Sequence, residues 1–482
     1  MSSATDAAPA GSPAAAASSS LLNWPTFAFL TIASTGSIAQ LPALAEYGLG
    51  AVTLYLIPAA LFLIPVALVA AELATTWQGG VFAWVGRGLG ERWGFQAIWL
   101  QWIQSVALYP SLLSFAAASL AFAFGRPDLA ANGVYTGGVV LIIFWAATII
   151  ALRGVSSMAR LSSLGVIVGT LIPAVALIAL MIIWLGSGHT SQVPLGGSDV
   201  LPPISGVSSI VLVVSSFIAF AGLEVNAVHI REMRRPVRNY VKALVFAVVA
   251  ILLMYVPGTV AIAVAVPASS IDLDAGAAQA FSAYASGFGI PLLGRVLSAL
   301  LLLGALAASI SWVSGPSRGL FLVGRKGYLP RALQRENSAG VQAPLLMVQG
   351  GIVTLLTLVF VFSDSVSKAF WMLQAITAIL YMSMYVILFI AALRLRRKEP
   401  SVKRPFRVRG LPLVGGIGIV AAVSAILIGL VPPDQFSLST PTLYTSILIV
   451  GVLVLAIPPT ILYRFRRPSW QDESVLSSPT DS

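Results

Sequence analysis

The chain has 482 residues, of which 58% are hydrophobic and 9% are charged, and its mean hydropathy is +0.92. A soluble domain has about a quarter of its residues charged, so this composition excludes a soluble globular protein. The net charge is +11, and the absence of cysteine excludes disulfides and thiolate chemistry.

The first predicted element is an N-terminal tail, residues 1–22. Its first 20 residues contain no Lys or Arg and no long apolar stretch, which argues against a cleavable signal peptide. They are rich in Ala, Ser and Pro, so we expect this tail to be disordered. Residues 23–465 carry the apolar runs and form one predicted membrane domain. Residues 466–482 form a short polar C-terminal tail.

Twelve apolar runs follow one another in the membrane domain. They are continuous and long enough for membrane-spanning helices, which need about 20 residues, whereas membrane strands alternate over about ten. The predicted spans 1 to 12 are residues 24–46, 51–74, 94–124, 134–152, 162–185, 206–229, 241–266, 290–316, 343–362, 367–394, 411–431 and 442–464. The sequence therefore predicts an all-α integral membrane protein.

The basic residues lie almost entirely on one side of this arrangement. Twenty-five of the 28 Lys and Arg residues fall in the loops after even-numbered spans, at the adjoining span ends, or in the tail after span 12. The positive-inside rule makes these loops cytoplasmic and places both termini in the cytoplasm. The basic clusters are thus topology determinants that can also contact anionic lipids, and their distribution argues against nucleic acid as a partner.

Spans 1 and 6 contain residues that weaken a helix near mid-span. Residues 34–37 of span 1 read STGS, and Gly222 lies near the middle of span 6. Glycine costs about 1 kcal/mol relative to alanine inside a helix, and small polar side chains offer the backbone competing hydrogen bonds. Irregular backbone at membrane depth must be buried in protein or line a water-filled cavity. The sequence therefore predicts a break in each span.

The two predicted breaks lie five spans apart. This spacing is typical of two five-helix inverted repeats with the substrate between them, here about residues 23–185 and 206–394, followed by spans 11 and 12. The alternative is that Gly36 and Gly222 are close-packing contacts between neighbouring helices.

Three segments resemble those of a known superfamily. FIAFAGLEVNAVHIREMRRPVRN (217–239) resembles the sixth-span signature of the amino acid–polyamine–organocation (APC) transporters. AAELATTWQGGVFAWVGRGLGERWGF (70–95) and SWVSGPSRGLFLVGRKGYLPRAL (311–333) are similar to the ends of their second and eighth spans. The resemblance covers about residues 24–465 and is greatest to the bacterial glutamate:γ-aminobutyrate antiporters.

This resemblance implies a LeuT-like fold of twelve spans, with spans 1 and 6 broken, in a bacterial inner membrane. It implies alternating access and exchange of an amino acid for a related amine or amino acid. Span 5 contains no lysine and the residues give only a weak signal for a sodium site, so we expect antiport without a bound metal and without a cofactor. Ala308 stands where the resemblance leads us to expect an acidic residue in span 8, and the C-terminal tail is shorter than the antiporters' plugging tail. Glutamate is therefore only one of several candidate substrates, beside neutral and aromatic amino acids and amines.

The two breaks supply groups for the two ends of an amino acid. The start of the outer half of span 1 can bind a carboxylate through backbone N–H groups. Backbone carbonyls at the break of span 6 can accept from an ammonium group. The candidates are Ser34, Thr35, Gly36, Ser37 and Ile38 in span 1 and Phe217, Phe220, Ala221 and Gly222 in span 6.

Polar and aromatic residues on three other spans are candidates for contacts with the substrate side chain. Polar residues at membrane depth usually face the bundle interior, and the alternative role for each is an interhelical hydrogen bond. The candidates are Gln101, Gln104 and Tyr109 on span 3, Ser309, Ser311 and Trp312 on span 8, and Trp371, Gln374, Thr377 and Tyr381 on span 10.

Glu224 is an acidic residue within a predicted span, two residues after Gly222. An isolated charge at the bilayer centre costs about 3 kcal/mol or more. Glu224 is therefore a candidate for contact with a cationic substrate group or for proton coupling. The alternative is a protonated carboxyl that bonds a free carbonyl of the break.

The sequence thus favours an antiporter of amino acids or related amines, with a proton-coupled amino acid or polyamine symporter as the alternative. An intramembrane enzyme is disfavoured, since HExxH and paired membrane aspartates are absent from the sequence. The two histidines, His189 and His229, are far apart and indicate no metal site. No pattern indicates an oligomeric state.

Overall fold

The computed structural model describes residues 23–154, 165, 167–226, 233, 235–436 and 441–472. The predicted N-terminal tail, His229 and residues 473–482 of the predicted C-terminal tail lie outside the described residues. The regular elements of the described ranges are helices, and an isolated β-bridge joins Lys326 to Gln471.

The helices follow the apolar runs of the sequence. The α-helices are Trp24–Thr35, Leu41–Ala45, Ala51–Pro58, Ile64–Thr76, Gly80–Leu89, Glu91–Ala123, Gly133–Leu152, Ile172–Gly186, Val214–Phe220, Leu223–Asn226, Pro236–Ala265, Gly276–Gly287, Pro291–Gly324, Ala343–Phe362, Val366–Lys398, Leu411–Gly429, Pro441–Ala456 and Pro458–Arg464. Eleven helical segments of the described chain are long and apolar enough to cross a membrane, and they cover predicted spans 2 to 12. The protein is therefore a multi-pass membrane protein.

Predicted span 1 is not among the eleven, because it is divided. The helix Trp24–Thr35 ends before Gly36, and a 3-10 turn over Ile38–Gln40 leads into the short helix Leu41–Ala45. Neither piece alone has the roughly 20 residues that cross a bilayer. The helix is thus interrupted at the position that the sequence indicates.

Spans 3, 6 and 10 form the centre of the bundle. The long span 3 helix, Glu91–Ala123, packs along both Pro291–Gly324 and Val366–Lys398. In span 6, 78% of the most apolar 18-residue segment is buried, whereas in span 12 only 11% of such a segment is buried. Span 12 is therefore peripheral, and the interrupted span 6 is enclosed by other helices.

An ion cluster joins the end of span 2 to the loop after span 10. The carboxylate of Glu72, which is 3% exposed, pairs with the guanidinium of Arg396 and lies 3.2 Å from that of Arg404. It also accepts a hydrogen bond of 2.7 Å from the backbone N–H of Val408. The Arg404 guanidinium packs over the ring of Trp77, 5.3 Å from its centroid. These contacts fix the 399–410 loop against the bundle.

The start of the C-terminal tail is bound to the loop after span 8. Asp472 pairs with Arg325 at 2.7 Å, and the Gln334 amide donates to the carbonyl of Trp470 at 2.8 Å. Arg466 pairs with Glu91 at the start of span 3. Residues 466–472 therefore pack on the same end of the bundle as the basic loops.

Candidate functional site

A cavity of about 90 Å³ lies between the two interrupted spans. One water molecule needs about 10–15 Å³ by this measure, so the cavity has room for several. Six spans contribute to its wall, namely 1, 3, 5, 6, 8 and 10. The lining residues include Thr35, Gly36, Ser37, Ile38, Gln40, Gln104, Ser105, Leu108, Tyr109, Leu112, Phe115, Thr170, Ile218, Ala221, Leu301, Ala305, Ala308, Trp312 and Tyr381.

A tyrosine from span 7 holds the break in span 1. Gly36 has ψ 113° and Ser37 has φ −138° and ψ 122°, so both residues are extended. The Ser37 N–H donates to the hydroxyl of Tyr255 at 3.0 Å, and that hydroxyl donates to the Thr35 carbonyl at 2.7 Å. One hydroxyl therefore partners backbone groups on both sides of the break.

A tyrosine from span 10 contacts the break in span 6. The helix Val214–Phe220 ends at an extended Ala221, Gly222 has a φ of +105°, and helical structure resumes at Leu223. The N–H of Gly222 donates to the hydroxyl of Tyr385 at 2.8 Å. Only glycine adopts such a φ without strain, which explains the residue at this position.

We expect Gly222→Ala to lower the free energy of unfolding by about 1–3 kcal/mol, because a Cβ is strained at a positive φ. Thermal unfolding of the detergent-solubilised protein measures the change. Gly351→Ala is the matched control, since Gly351 lies inside the helix Ala343–Phe362 and no neighbour lies within 4 Å of an added Cβ. Alanine should be neutral or stabilising there. Equal effects of the two substitutions would contradict the assignment of strain to Gly222.

The Glu224 carboxylate joins three spans. It is 1% exposed, and its Oε1 accepts hydrogen bonds from the Gln101 amide at 3.0 Å and from the Tyr381 hydroxyl at 2.9 Å. Its Oε2 accepts from the hydroxyl of Tyr385, which also binds the N–H of Gly222. Glu224 is therefore connected to the break of its own span through a side chain of span 10, and Tyr381 connects it to the cavity wall.

Nine of the residues predicted for the site line the cavity, and they come from spans 1, 3, 6, 8 and 10. They are Thr35, Gly36, Ser37, Ile38, Gln104, Tyr109, Ala221, Trp312 and Tyr381. The side chains of Ser34 and Ser311 lie outside the described part of the chain. The structure thus brings residues far apart in sequence around one cavity.

The other predicted residues whose side chains are described do not line the cavity. The Gln374 amide donates to Gln40, a lining residue, at 3.1 Å. Phe217 packs on Phe62 with ring centroids 5.3 Å apart, and Phe220 packs on Tyr55 at 6.0 Å. The Trp371 indole donates to the Tyr444 hydroxyl of span 12 at 2.9 Å, and Ser309 and Thr377 donate to carbonyls of their own helices.

Tyr255, Tyr385 and Gln40 were not predicted from the sequence. Tyr385 lies four residues after Tyr381 and hence on the same helix face, so the spacing could have indicated it. Tyr255 stands in an apolar stretch of span 7 that carries no such pattern. Gln40 lies four residues after Gly36, so its closeness to the predicted break could have indicated it.

Known proteins resemble this chain over nearly its whole length. Residues 22–454 match the model of a family described as amino acid permease. An uncharacterized transporter of Legionella pneumophila is 33% identical over 92% of this chain and 96% of its own length. A glutamate/gamma-aminobutyrate antiporter of Lactococcus lactis is 32% identical, with 91% of this chain and 89% of the relative covered.

A branched-chain amino acid permease of Lactococcus lactis is 28% identical over 82% of this chain and 85% of its own length. These relatives are named as transporters and not as enzymes, and the matched family covers all the spans around the cavity. The chain therefore belongs to the amino acid permease family.

Proposed function

We propose that this protein is a secondary active transporter that exchanges amino acids or related amines across the membrane by alternating access. The observation that carries the proposal is that both interrupted spans meet at one cavity enclosed by spans 3, 5, 8 and 10. Many carriers build their substrate site at membrane depth from interrupted helices of this kind. The antiporter named among the relatives supports exchange as the mode of transport.

The proposed architecture is a LeuT-like arrangement of twelve spans within residues 23–465. Spans 1–5 (23–185) and 6–10 (206–394) form inverted repeats, with spans 11 and 12 beside them. The one-sided basic loops support cytoplasmic termini, with 1–22 and 466–482 as tails, in a bacterial inner membrane. Anionic lipids are proposed partners of the basic loops.

In the proposed site the two breaks bind the two ends of the substrate. The turn that starts at Ile38 faces the α-carboxylate with its backbone, beside Gly36 and Ser37. The carbonyls that end the helix at Phe220 and Ala221 accept from the ammonium group. Trp312 and Tyr381 contribute the wall on either side. Glu224 acts as a positioning residue, because its hydrogen-bond partners hold the break of span 6.

Proton-coupled symport is the second candidate function. The observation that favours it is the fully buried Glu224 carboxyl, whose partners reach both the cavity and the break. A change in its protonation would alter the hydrogen bonds of Tyr381 and Tyr385 together. Coupling of this kind would move the break as the proton is bound or released.

Reconstituted liposomes distinguish the two modes. The purified protein is placed in liposomes that are empty or preloaded with a single amino acid or its decarboxylated amine, and uptake of the labelled compound is measured. Exchange predicts saturable uptake only into preloaded vesicles. Symport predicts uptake into empty vesicles under an inward proton gradient, abolished by a protonophore. Uptake that rises linearly with concentration and needs neither condition would contradict both.

A further inference from the structure

One buried polar group of the cavity wall has no partner among the described residues. The Tyr109 side chain is 1% exposed and lines the cavity, and its hydroxyl makes no hydrogen bond within the described chain. Its ring packs edge-to-face on Phe144, with centroids 5.2 Å apart. The aromatic ring is thus held by packing, while the hydroxyl is buried without a partner in the described chain. A buried polar group without a partner costs about 1–3 kcal/mol.

The other buried polar side chains of the wall already have partners. Thr35 donates to the Thr31 carbonyl at 2.8 Å, and Ser105 donates to the Trp102 carbonyl at 2.6 Å. Tyr381 donates to Glu224 at 2.9 Å. The Gln104 amide donates to the Gln101 carbonyl at 3.1 Å, and Gln40 accepts from Gln374. Tyr109 therefore differs from its buried polar neighbours on the wall.

The described lining residues also carry no charge. A second carboxylate on the substrate would be buried beside Leu112, Phe115 and Ala308 without a cation to pair with it. A second ammonium group would meet no free carboxylate among the described lining residues, because Glu224 lies behind Tyr381 and accepts three hydrogen bonds. An unpaired buried ion costs several kcal/mol, so the wall selects against a charged side chain.

We propose that Tyr109 is a specificity-determining residue, and that the preferred substrate is an α-amino acid whose short, uncharged side chain carries a hydroxyl or amide group. The inference rests on the proposed transport function. Tyr109 lies one helical turn beyond Ser105 on the cavity face of span 3, toward Leu112 and Phe115. The substrate's methylene groups pack on these apolar residues while its polar group bonds the Tyr109 hydroxyl.

Competition in reconstituted liposomes tests the proposal with two pairs of inhibitors of equal shape. Threonine and valine differ by a hydroxyl, and glutamine and glutamate differ by a charge at pH 7. Each is titrated against uptake of a labelled amino acid that gives counterflow. For the wild type we expect threonine to inhibit at concentrations about three- to tenfold lower than valine, the effect of one hydrogen bond. Glutamine should inhibit at concentrations at least about tenfold lower than glutamate, because burying the unpaired charge is costly.

In Tyr109→Phe, threonine and valine should inhibit at nearly equal concentrations. The ratio of the inhibitory concentrations of glutamine and glutamate should stay as in the wild type. A purely structural role would weaken inhibition by all four compounds equally. Tyr135→Phe is the control, since that hydroxyl donates to the Ala117 carbonyl at 3.0 Å and lies outside the cavity wall. It should preserve both ratios.

Wild-type protein that binds glutamate as well as glutamine, or valine as well as threonine, overturns the inference without using any variant. So does an unchanged threonine-to-valine ratio in Tyr109→Phe. Counterflow with these results contradicts the inference alone. Absence of counterflow and of proton-driven uptake for every amino acid and amine contradicts the proposed function as well.

Discussion

Glu224→Gln is expected to reduce the initial rate of exchange by about tenfold or more. The carboxylate offers two acceptor oxygens, and three donors from spans 3 and 10 use them. An amide replaces one oxygen with a donor, so at least one buried donor loses its acceptor in either amide orientation. Each loss costs about 1–3 kcal/mol, and 1.4 kcal/mol corresponds to a factor of ten.

The substitution should slow transport because it disturbs the hydrogen bonds that hold the break of span 6. If the amide nitrogen faces Tyr385, that hydroxyl must accept from both the amide and the N–H of Gly222, and its own proton is left without an acceptor. Tyr385→Phe removes the same contact while leaving the carboxylate in place, and it should also slow exchange. Initial rates in liposomes with equal amounts of protein measure both variants.

Glu91→Gln is the matched control for this experiment. The Glu91 side chain is 64% exposed and pairs with Arg466 at 3.3 Å, so the same chemical change there should leave the rate within about twofold of wild type. The pH profile separates the two roles of Glu224. A slower rate with the wild-type pH profile indicates positioning, whereas loss of a pH-dependent step indicates proton coupling. Unchanged rate and profile would contradict both roles.

The second large effect is expected at Glu72, near the end of span 2. Glu72→Ala should destabilise the protein by about 3–5 kcal/mol, because it leaves two arginines without their buried counter-charge. The Arg404 side chain is 3% exposed and that of Arg396 is 18% exposed. The variant also removes the acceptor of the Val408 N–H. Thermal unfolding in detergent measures the change.

Loss of this cluster should also release the loop after span 10. Residues 399–410 contain Lys403, Arg407 and Arg409, which are trypsin sites. We expect faster tryptic cleavage there in Glu72→Ala. Glu91→Ala breaks an exposed ion pair and should cost less than about 1 kcal/mol, with wild-type cleavage of this loop. Equal stability and cleavage of the two variants would show that the buried cluster does not hold the loop.

Local patterns explain why much of the fold could be predicted. A membrane span needs a continuous apolar run, and hydropathy records that run directly, so spans 2 to 12 appear where the sequence places them. The breaks were predictable for a similar reason. Gly222 adopts a φ of +105°, and a Cβ added at Gly36 would lie 2.7 Å from the Ile32 carbonyl oxygen. Both positions therefore need glycine, and a glycine within an apolar run is visible in the sequence.

The partners of these residues could not be predicted in the same way. Glu72 and Arg396 are 324 residues apart in the chain, and Ser37 and Tyr255 are 218 apart. Such pairs depend on how the helices pack, and a single sequence contains no record of that packing. The role of Glu224 shows the difference. Its charge and depth were plain from the sequence, but its three donors come from spans 3 and 10.

The sequence by itself determined that this protein crosses the membrane many times, where two of its helices are interrupted, and which family its motifs resemble. Those features follow from composition, from backbone preferences and from short segments, all of which act over a few residues. Only the tertiary structure decided which polar groups face the cavity and which are already bonded. Tyr109 lies on the wall with a hydroxyl that has no partner in the described chain, and Glu224 lies behind Tyr381. Neither placement follows from the sequence, because each depends on contacts between helices that are far apart in the chain.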